Sequence, residues 1–217
     1  MKLLLIIGLL TGSPDTVKAE SVQLNISTLG GGLESSFRFT ARPVSIRAGV
    51  NYVWFRKPLR FETATDSYLN AQPDIYSGHV YVLADYHFLK KRWLRATAGL
   101  AYAPFQRYAA FFDTDSDLKL GEMTIPKNEF GHTDLEIRWN RLKPYLGIGI
   151  GRQVMQKRVG LGLDLGVFHL GSPKLRLNYE GFLETTTIDE EVLKIQQNMR
   201  GYRFYPYLSI QVKYRVY

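Results

Sequence analysis

Residues 44–54 read Val44-Ser45-Ile46-Arg47-Ala48-Gly49-Val50-Asn51-Tyr52-Val53-Trp54, a stretch in which apolar side chains alternate with polar or small ones. Successive side chains of a β-strand point to opposite faces, so this period of two gives one apolar face and one polar face. The same alternation recurs along most of the chain. It predicts an all-β protein whose sheet separates an apolar surrounding from a polar one.

Segments with this alternation are numerous enough to close a sheet into a barrel. Nine of them can be counted, at 29–39, 44–55, 80–88, 94–102, 133–139, 146–151, 159–167, 174–183 and 208–217. Both chain ends of a small membrane barrel lie on one side of the membrane, so the strand number should be even. Ten strands result if residues 22–29 pair back through Gly30-Gly31-Gly32, and eight if one segment is not a membrane strand. We favour eight from the typical size of such barrels.

The connections between these segments differ in length. Those at 40–43, 90–92, 140–141 and 171–173 are short and hydrophilic or turn-forming, whereas those at 61–77, 112–130 and 184–205 are long. Short turns on one side and longer loops on the other are typical of outer-membrane barrels.

The last long connection predicts one short amphipathic helix before the final strand. Thr187-Ile188-Asp189-Glu190 is a capping-box pattern, and Gly201 is placed as a stop. Between them, Ile188, Val192, Ile195 and Met199 form one apolar stripe. We expect a helix of about 12 residues. It would pack as a lid or brace on the barrel rim, with a partner-binding helix as the alternative.

The N-terminus predicts export. Lys2 precedes an apolar run at 3–10, which is too short for a membrane-spanning helix because such a helix needs roughly 20 apolar residues. A positive start, a short apolar core and a small residue at Ala19 are typical of a secretory signal peptide. We therefore expect a signal peptide at 1–19 and an outer-membrane β-barrel at 20–217. A buried first strand of a cytosolic domain is the alternative.

Composition narrows the class of protein further. The chain has 217 residues and no cysteine, which excludes a disulfide framework and a cysteine-based metal site. Its 14 Tyr, 12 Phe and 19 Gly, with a mean hydropathy of −0.17, suit a β-protein with a half-polar surface. The net charge is +8, but the basic residues are dispersed, so we expect no nucleic-acid partner. In an outer membrane these residues would meet lipopolysaccharide phosphates or acidic solutes.

Charged residues decide which face of the barrel is outside. A soluble lipocalin-type barrel shows the same alternation with its apolar side inward, but the polar faces here hold charges of both signs. Each unpaired charge would cost about 2–4 kcal/mol at the bilayer midplane, so we expect the charges to pair within the lumen. The predicted lumen polar network is Glu34, Arg38, Arg47, Asp85, Arg95, Glu136, Arg138, Asp164, Arg176, Glu180, Lys213 and Arg215. A predicted aromatic girdle at headgroup level is Tyr52, Trp54, Tyr102, Trp139 and Tyr214.

The C-terminal third carries a family resemblance. Tyr205-Pro206-Tyr207-Leu208-Ser209-Ile210 and the residues up to Tyr217 resemble the last strand that Gram-negative outer-membrane proteins present to their barrel insertion machinery. Residues 143–151 and 162–167 are similar to strands of small OmpA/OmpW-type barrels, and 160–217 resemble the end of uncharacterised bacterial outer-membrane β-barrel proteins. The resemblance implies a transmembrane antiparallel up-and-down β-barrel in the bacterial outer membrane. Its implied partners are membrane lipid, lipopolysaccharide and the insertion machinery, and we expect a monomer.

The sequence contains no pattern that predicts catalysis or a cofactor. Its four histidines, His79, His87, His132 and His169, are not matched with a serine and an acid as a triad requires, and no metal-ligand set is spaced for chelation. We therefore expect no catalytic, metal or cofactor-binding residues. The favoured function is a structural or interaction role in the outer membrane, with a narrow porin-like channel for small solutes as the alternative. An outer-membrane lipid-modifying enzyme is the third hypothesis.

Overall fold

Thirteen β-strands form nearly all of what the computed structural model describes, namely residues 17–39, 42–62, 68–88, 93–114, 118–120, 123–125, 133–151, 158–179 and 199–215. They are β1 (Val17–Ser27), β2 (Gly30–Phe39), β3 (Val44–Phe55), β4 (Leu59–Glu62), β5 (Tyr68–His87), β6 (Leu94–Thr114), β7 (Leu118–Leu120), β8 (Met123–Ile125), β9 (Thr133–Arg138), β10 (Leu142–Ile150), β11 (Val159–His169), β12 (Lys174–Tyr179) and β13 (Phe204–Arg215). A single 3-10 turn, Met199–Gly201, precedes β13. Within these residues no helix has the length and apolar character needed to cross a membrane.

Eight of the strands close into a ring. Its order is β1, β2, β3, β5, β6, β10, β11 and β13, with every neighbouring pair antiparallel. The ring closes where β13 pairs with β1, from Ser21 opposite Arg215 to Ser27 opposite Ser209. The predicted fold class, an antiparallel up-and-down barrel of about eight strands, is confirmed.

The eight strands are not all the ones that alternation suggested. Residues 22–29, which the sequence left as an alternative, belong largely to β1 and stand in the ring. Two predicted membrane segments, 133–139 and 174–183, correspond instead to β9 and β12 outside it. There β9 pairs with the far end of β6, and β12 pairs with β9. Alternation marks a two-faced strand but does not identify its pairing partner, so these two segments could not be told from ring strands.

The two ends of the ring differ. Connections 40–43, 88–93 and 151–158 lie at one end, called here the short-loop end, together with Val17 and Arg215. Connections 56–67, 115–141 and 170–203 lie at the other, the long-loop end, beside a tight turn at 28–29. The short stretches 140–141 and 171–173 also lie at the long-loop end, because they join β9 to β10 and β11 to β12. The asymmetry is that of outer-membrane barrels.

A second sheet projects from the long-loop end. Strands β5 and β6 have 20 and 21 residues, whereas a transmembrane strand needs only about 9–11. Beyond the ring they pair with each other, β4 adds to β5, and β9 and β12 add to β6, which gives the projecting sheet β4-β5-β6-β9-β12. Residues 68–77, expected as part of a loop, are therefore strand. Roughly ten extra residues per strand give this sheet a length of about 30 Å along its strands.

Two sequence predictions fall largely outside the described residues. The predicted helix occupies residues up to 198, which are not described, and its end coincides with the 3-10 turn Met199–Gly201. Most of the predicted signal peptide is likewise not described. Strand β1 begins at Val17, opposite Phe39, so cleavage after Ala19 would shorten β1 and leave residues 20–27 in the ring.

The outer surface of the ring is apolar. Ile26, Leu161 and Leu146 are 78%, 71% and 70% exposed, and comparable side chains stand on every ring strand. The alternate residues point into the lumen, where polar side chains are buried. An apolar surface around the whole circumference, with hydrogen bonds closed into a ring, matches the requirements of a lipid environment.

Candidate functional site

The centre of the lumen is a buried arginine that contacts three carboxylates. Arg47 on β3 donates from Nε and Nη2 to the two carboxylate oxygens of Asp85, at 2.6 and 2.9 Å. Its Nη1 donates to Asp164 Oδ2 at 2.6 Å and to Glu34 at 3.3 Å. Strands β2, β5 and β11 are thus tied to β3 by one guanidinium group, whose fork geometry suits several acceptors at once.

A second arginine extends this cluster to β6 and β13. Arg95 on β6 donates to Asp164 Oδ1 through Nη2 and lies 3.6 Å from Asp85. Gln211 Nε2 on β13 donates to Asp164 Oδ2 at 2.5 Å, and Thr97 Oγ1 donates to Asp85 Oδ1 at 2.6 Å. Asp164 is therefore held by two arginines and a glutamine, and Asp85 by Arg47 and a threonine, which accounts for most of their acceptor sites.

The cluster balances its charges. Its acids and bases are Glu34, Asp85 and Asp164 against Arg47, Arg95 and Lys213, three of each sign. All are at most 1% exposed, and Lys213 acts electrostatically on Asp164. A buried charge is tolerated only when it is paired and hydrogen-bonded. Arg47, Arg95 and the three carboxylates meet this condition through their mutual hydrogen bonds, whereas Lys213 Nζ makes no hydrogen bond within the described residues and acts on the others through its charge. We call these six residues the ionic layer.

Aromatic rings form a second layer nearer the long-loop end. Tyr145 packs against Phe168 and Tyr207 with ring centroids 4.7 and 5.5 Å apart, and Tyr81 belongs to the same buried cluster. Glycines make room for these rings. A Cβ added at Gly166 would lie 2.6 Å from Tyr145 Cε2, and one at Gly49 would lie 2.7 Å from Tyr81 Cζ. The glycine-rich strands thus make room for the aromatic layer.

The structure divides the predicted lumen network into three groups. Its six ionic-layer residues lie together. Arg38 and Arg215 stand at the short-loop end, half-buried and exposed respectively. Glu136, Arg138 and Arg176 lie outside the ring on β9 and β12, because those strands belong to the projecting sheet, and Glu180 is outside the described residues.

The predicted girdle is likewise divided. Tyr52, Trp54, Tyr102 and Tyr214 lie on the outer surface with exposures between 46% and 64%. Trp139 does not. It packs edge-on against Tyr108, with centroids 5.0 Å apart, and against the buried core at the mouth of the barrel. The reason is that Trp139 follows β9, whose apolar face points inward.

Several lumen residues escaped the sequence prediction. Gln23, Thr97 and Gln211 are uncharged, and Tyr81, Tyr145 and Tyr207 belong to a residue type that occurs on both faces of a membrane barrel. Their position in the sequence does indicate the lumen, since each lies on the polar side of its strand by the period of two.

The outer face of the projecting sheet carries charged side chains, unlike the apolar outer surface of the ring. Asp74 accepts hydrogen bonds from Arg56 at 2.8 and 3.0 Å and pairs with Arg107 at 3.1 Å. Beside them, Arg138 donates two hydrogen bonds to Glu136 at 2.7 and 3.0 Å. Those bonds hold the pKa of Glu136 below its ordinary value, and the charges of Arg138, Arg107 and Arg176 act in the same direction. We call these six residues, including Arg176, the outer charged cluster.

Comparisons with known proteins support the fold. No protein-family model matches the chain, and no curated protein matches its sequence. Among solved structures, Acinetobacter baumannii CarO2 is similar with a TM-score of 0.61 and 15% identity, covering 93% of this chain and 100% of that one. Acinetobacter baumannii CarO is similar with a TM-score of 0.58 and 18% identity, covering 91% and 98%. A major outer membrane protein from Thermus thermophilus has a TM-score of 0.48 at 13% identity, covering 92% and 99%, a likeness too weak to support an argument.

The likeness to the two CarO structures concerns the fold alone, because both identities are below a fifth. It does agree with the chain's own features. A closed eight-stranded ring with an apolar outer surface is an outer-membrane-type barrel. This agrees with the localisation predicted from the sequence.

Proposed function

We propose that this chain is an outer-membrane barrel with a structural and interaction role, whose bore does not conduct and which holds the projecting sheet at the cell surface. The ionic layer carries this proposal. Its charged side chains come from six of the eight ring strands and are at most 1% exposed. A water-filled path along the bore would leave some of these groups solvated, so their burial favours a closed bore.

The aromatic layer also favours a closed bore. Tyr81, Tyr145, Phe168 and Tyr207 are all below 5% exposed, so the bore is filled at a second level as well. Ordinary eight-stranded barrels are just wide enough to be filled by their own side chains. The partners expected from the sequence, lipopolysaccharide and the insertion machinery through β13, stay predictions, as does the monomeric state.

Two serine and histidine pairs lie in the described part of the lumen, Ser45 with His87 at 3.1 Å and Ser77 with His79, and a structural role fits the second of them because it also contacts a lysine. His79 Nε2 lies 3.4 Å from Ser77 Oγ, but the same nitrogen lies 2.8 Å from Lys143 Nζ. A general base needs that lone pair for the serine proton, and an acid to orient the imidazole. The lysine competes for the lone pair, so the arrangement favours a structural hydrogen bond.

Single-channel recording in planar bilayers tests the closed bore. Purified full-length protein should insert without producing discrete current steps above the leak of the bare bilayer, while an open porin reconstituted in the same way gives steps. Insertion is checked separately by heat-modifiable migration on SDS gels. A steady ohmic conductance that accompanies each insertion would overturn the proposal and support the narrow-channel alternative.

A further inference from the structure

An apolar groove lies on the lipid-facing surface of the ring, near the long-loop end. Its volume is about 420 Å³. Its walls are outward side chains of β1, β2, β3, β5 and β6: Leu24, Leu33, Val50, Tyr52, Val80 and Phe105. Each of these six residues is between 48% and 62% exposed, so the groove opens directly to the bilayer.

Glycines form the floor of the groove. Gly31 faces outward on β2, and a Cβ added there would meet nothing within 4 Å, so the space above it is open. At Gly78 the ring of Phe105 lies over the missing side chain, with Cε2 2.8 Å from the position of a Cβ. Asn51 and His79 also touch the groove, but its floor and walls are mostly apolar, which suits a hydrocarbon chain.

The outer charged cluster lies directly beyond this groove on the same outer face. Along β6 the outward residues run from Phe105 at the groove to Arg107. Along β3 they run from Tyr52 to Trp54, and Arg56 follows just after the strand. At about 3.3 Å per residue these arginines stand roughly 7–13 Å further out. That is the spacing between the acyl region and the phosphate region of a membrane lipid.

The charge of the cluster favours an anion. It contains four arginines, Arg56, Arg107, Arg138 and Arg176, against Asp74 and Glu136, a net charge of +2. The Arg56 and Arg107 side chains are 63% and 43% exposed, while Asp74 beneath them is 13% exposed. Asp74 thus holds two largely exposed guanidinium groups, and N–H donors of such groups suit phosphate oxygens.

We propose that the groove and the outer charged cluster form one binding site for the lipid A part of lipopolysaccharide, with an acyl chain in the groove and a phosphate on Arg56 and Arg107. The long-loop end faces the cell exterior in barrels of this type, and lipopolysaccharide is the acylated, phosphorylated lipid of that leaflet. The proposal does not depend on whether the bore is closed, because every contact lies on the outer surface.

Native mass spectrometry of the purified full-length chain in detergent tests the site, with hexa-acylated diphosphoryl lipid A as the probe. The wild-type chain should retain one lipid A, and retention of phosphatidylglycerol should be weaker. Arg56→Ala with Arg107→Ala removes two charge-assisted contacts and should weaken binding at least about tenfold. Gly31→Leu fills the groove without touching a charge and should weaken binding to a similar degree.

A matched control separates this site from general charge. Arg158 and Arg203 are exposed on the far side of the ring, and their double replacement by alanine removes the same charge. That variant should bind lipid A within about twofold of wild type. Folding is verified by heat-modifiable migration, and Leu33→Trp narrows the groove from its wall should Gly31→Leu not fold. Equal loss in the control, unchanged binding when the groove is filled, or equal retention of phosphatidylglycerol would each overturn the proposal.

Discussion

At the scale of single residues, Arg47 forms ion pairs with three carboxylates, more than any other described residue of the lumen. It neutralises Asp85, Asp164 and Glu34 through hydrogen bonds between 2.6 and 3.3 Å, and it is fully buried. Removing it leaves three buried carboxylates against two cations, Arg95 and Lys213. An uncompensated buried charge is far more costly than the net value of the pair that contained it.

Arg47→Leu should therefore lower the free energy of unfolding by about 3–5 kcal/mol, measured by urea titration of the protein in lipid vesicles. Adding Asp85→Leu restores equal numbers of acids and bases, so the double variant should regain part of that loss. Arg138→Leu serves as the control, because that arginine is exposed on the projecting sheet and should leave the urea midpoint in place. An unchanged midpoint for Arg47→Leu would contradict a paired ionic layer.

The sequence predicts which residues of the ionic layer lie on the polar face of their strands, but it does not predict which of them contact one another. Glu34, Arg47 and Asp164 stand on the polar side of their strands by simple alternation. Glu136 and Arg138 satisfy the same rule, yet they face the water around the projecting sheet. Alternation assigns a residue to a face of its strand, and only the pairing of strands decides what that face meets.

At the scale of elements, β6 passes from one environment to another along its length. In the ring its outward residues are apolar, such as Leu100, and its inward ones are polar, such as Arg95 and Thr97. Beyond the register shift between Gly78 and Val80 of β5, the outward face of β6 carries a charge as well as apolar residues. Tyr108 faces inward against Trp139, while Arg107 faces outward beside Asp74. We place the point at which the strand leaves lipid at this first outward charge, next to Phe105.

Introducing one charge on each side of that boundary tests it. Leu100 and Phe111 both lie on β6 with exposed fractions of 50% and 41%. Leu100→Arg should lower the free energy of unfolding in vesicles by about 2–4 kcal/mol, because it places a charge near the bilayer midplane. Phe111→Arg should change it by less than about 1 kcal/mol, because its surroundings are aqueous. Similar losses at both positions would contradict a membrane boundary between them.

At the scale of the whole molecule, the closed ring explains both what alternation predicted and what it missed. Every ring strand needs a partner on each side, and β1 supplies the last pairing by joining β13. The membrane class follows from the sequence because a period of two with charges on one side has few other solutions. The number of ring strands does not follow from the sequence, because β9 and β12 show the same period of two although they belong to the projecting sheet.

Orientation in the membrane is a property of the whole molecule and can be measured directly, since the chain contains no cysteine. Arg138→Cys places a single thiol on the exposed face of the projecting sheet, and Arg158→Cys places one at the short-loop end. On intact cells a membrane-impermeant maleimide should label the first variant alone, and permeabilised cells should show both labelled. The reverse pattern on intact cells would put the short-loop end outside. The groove and the outer charged cluster would then lie in the inner leaflet, where lipid A could not reach them.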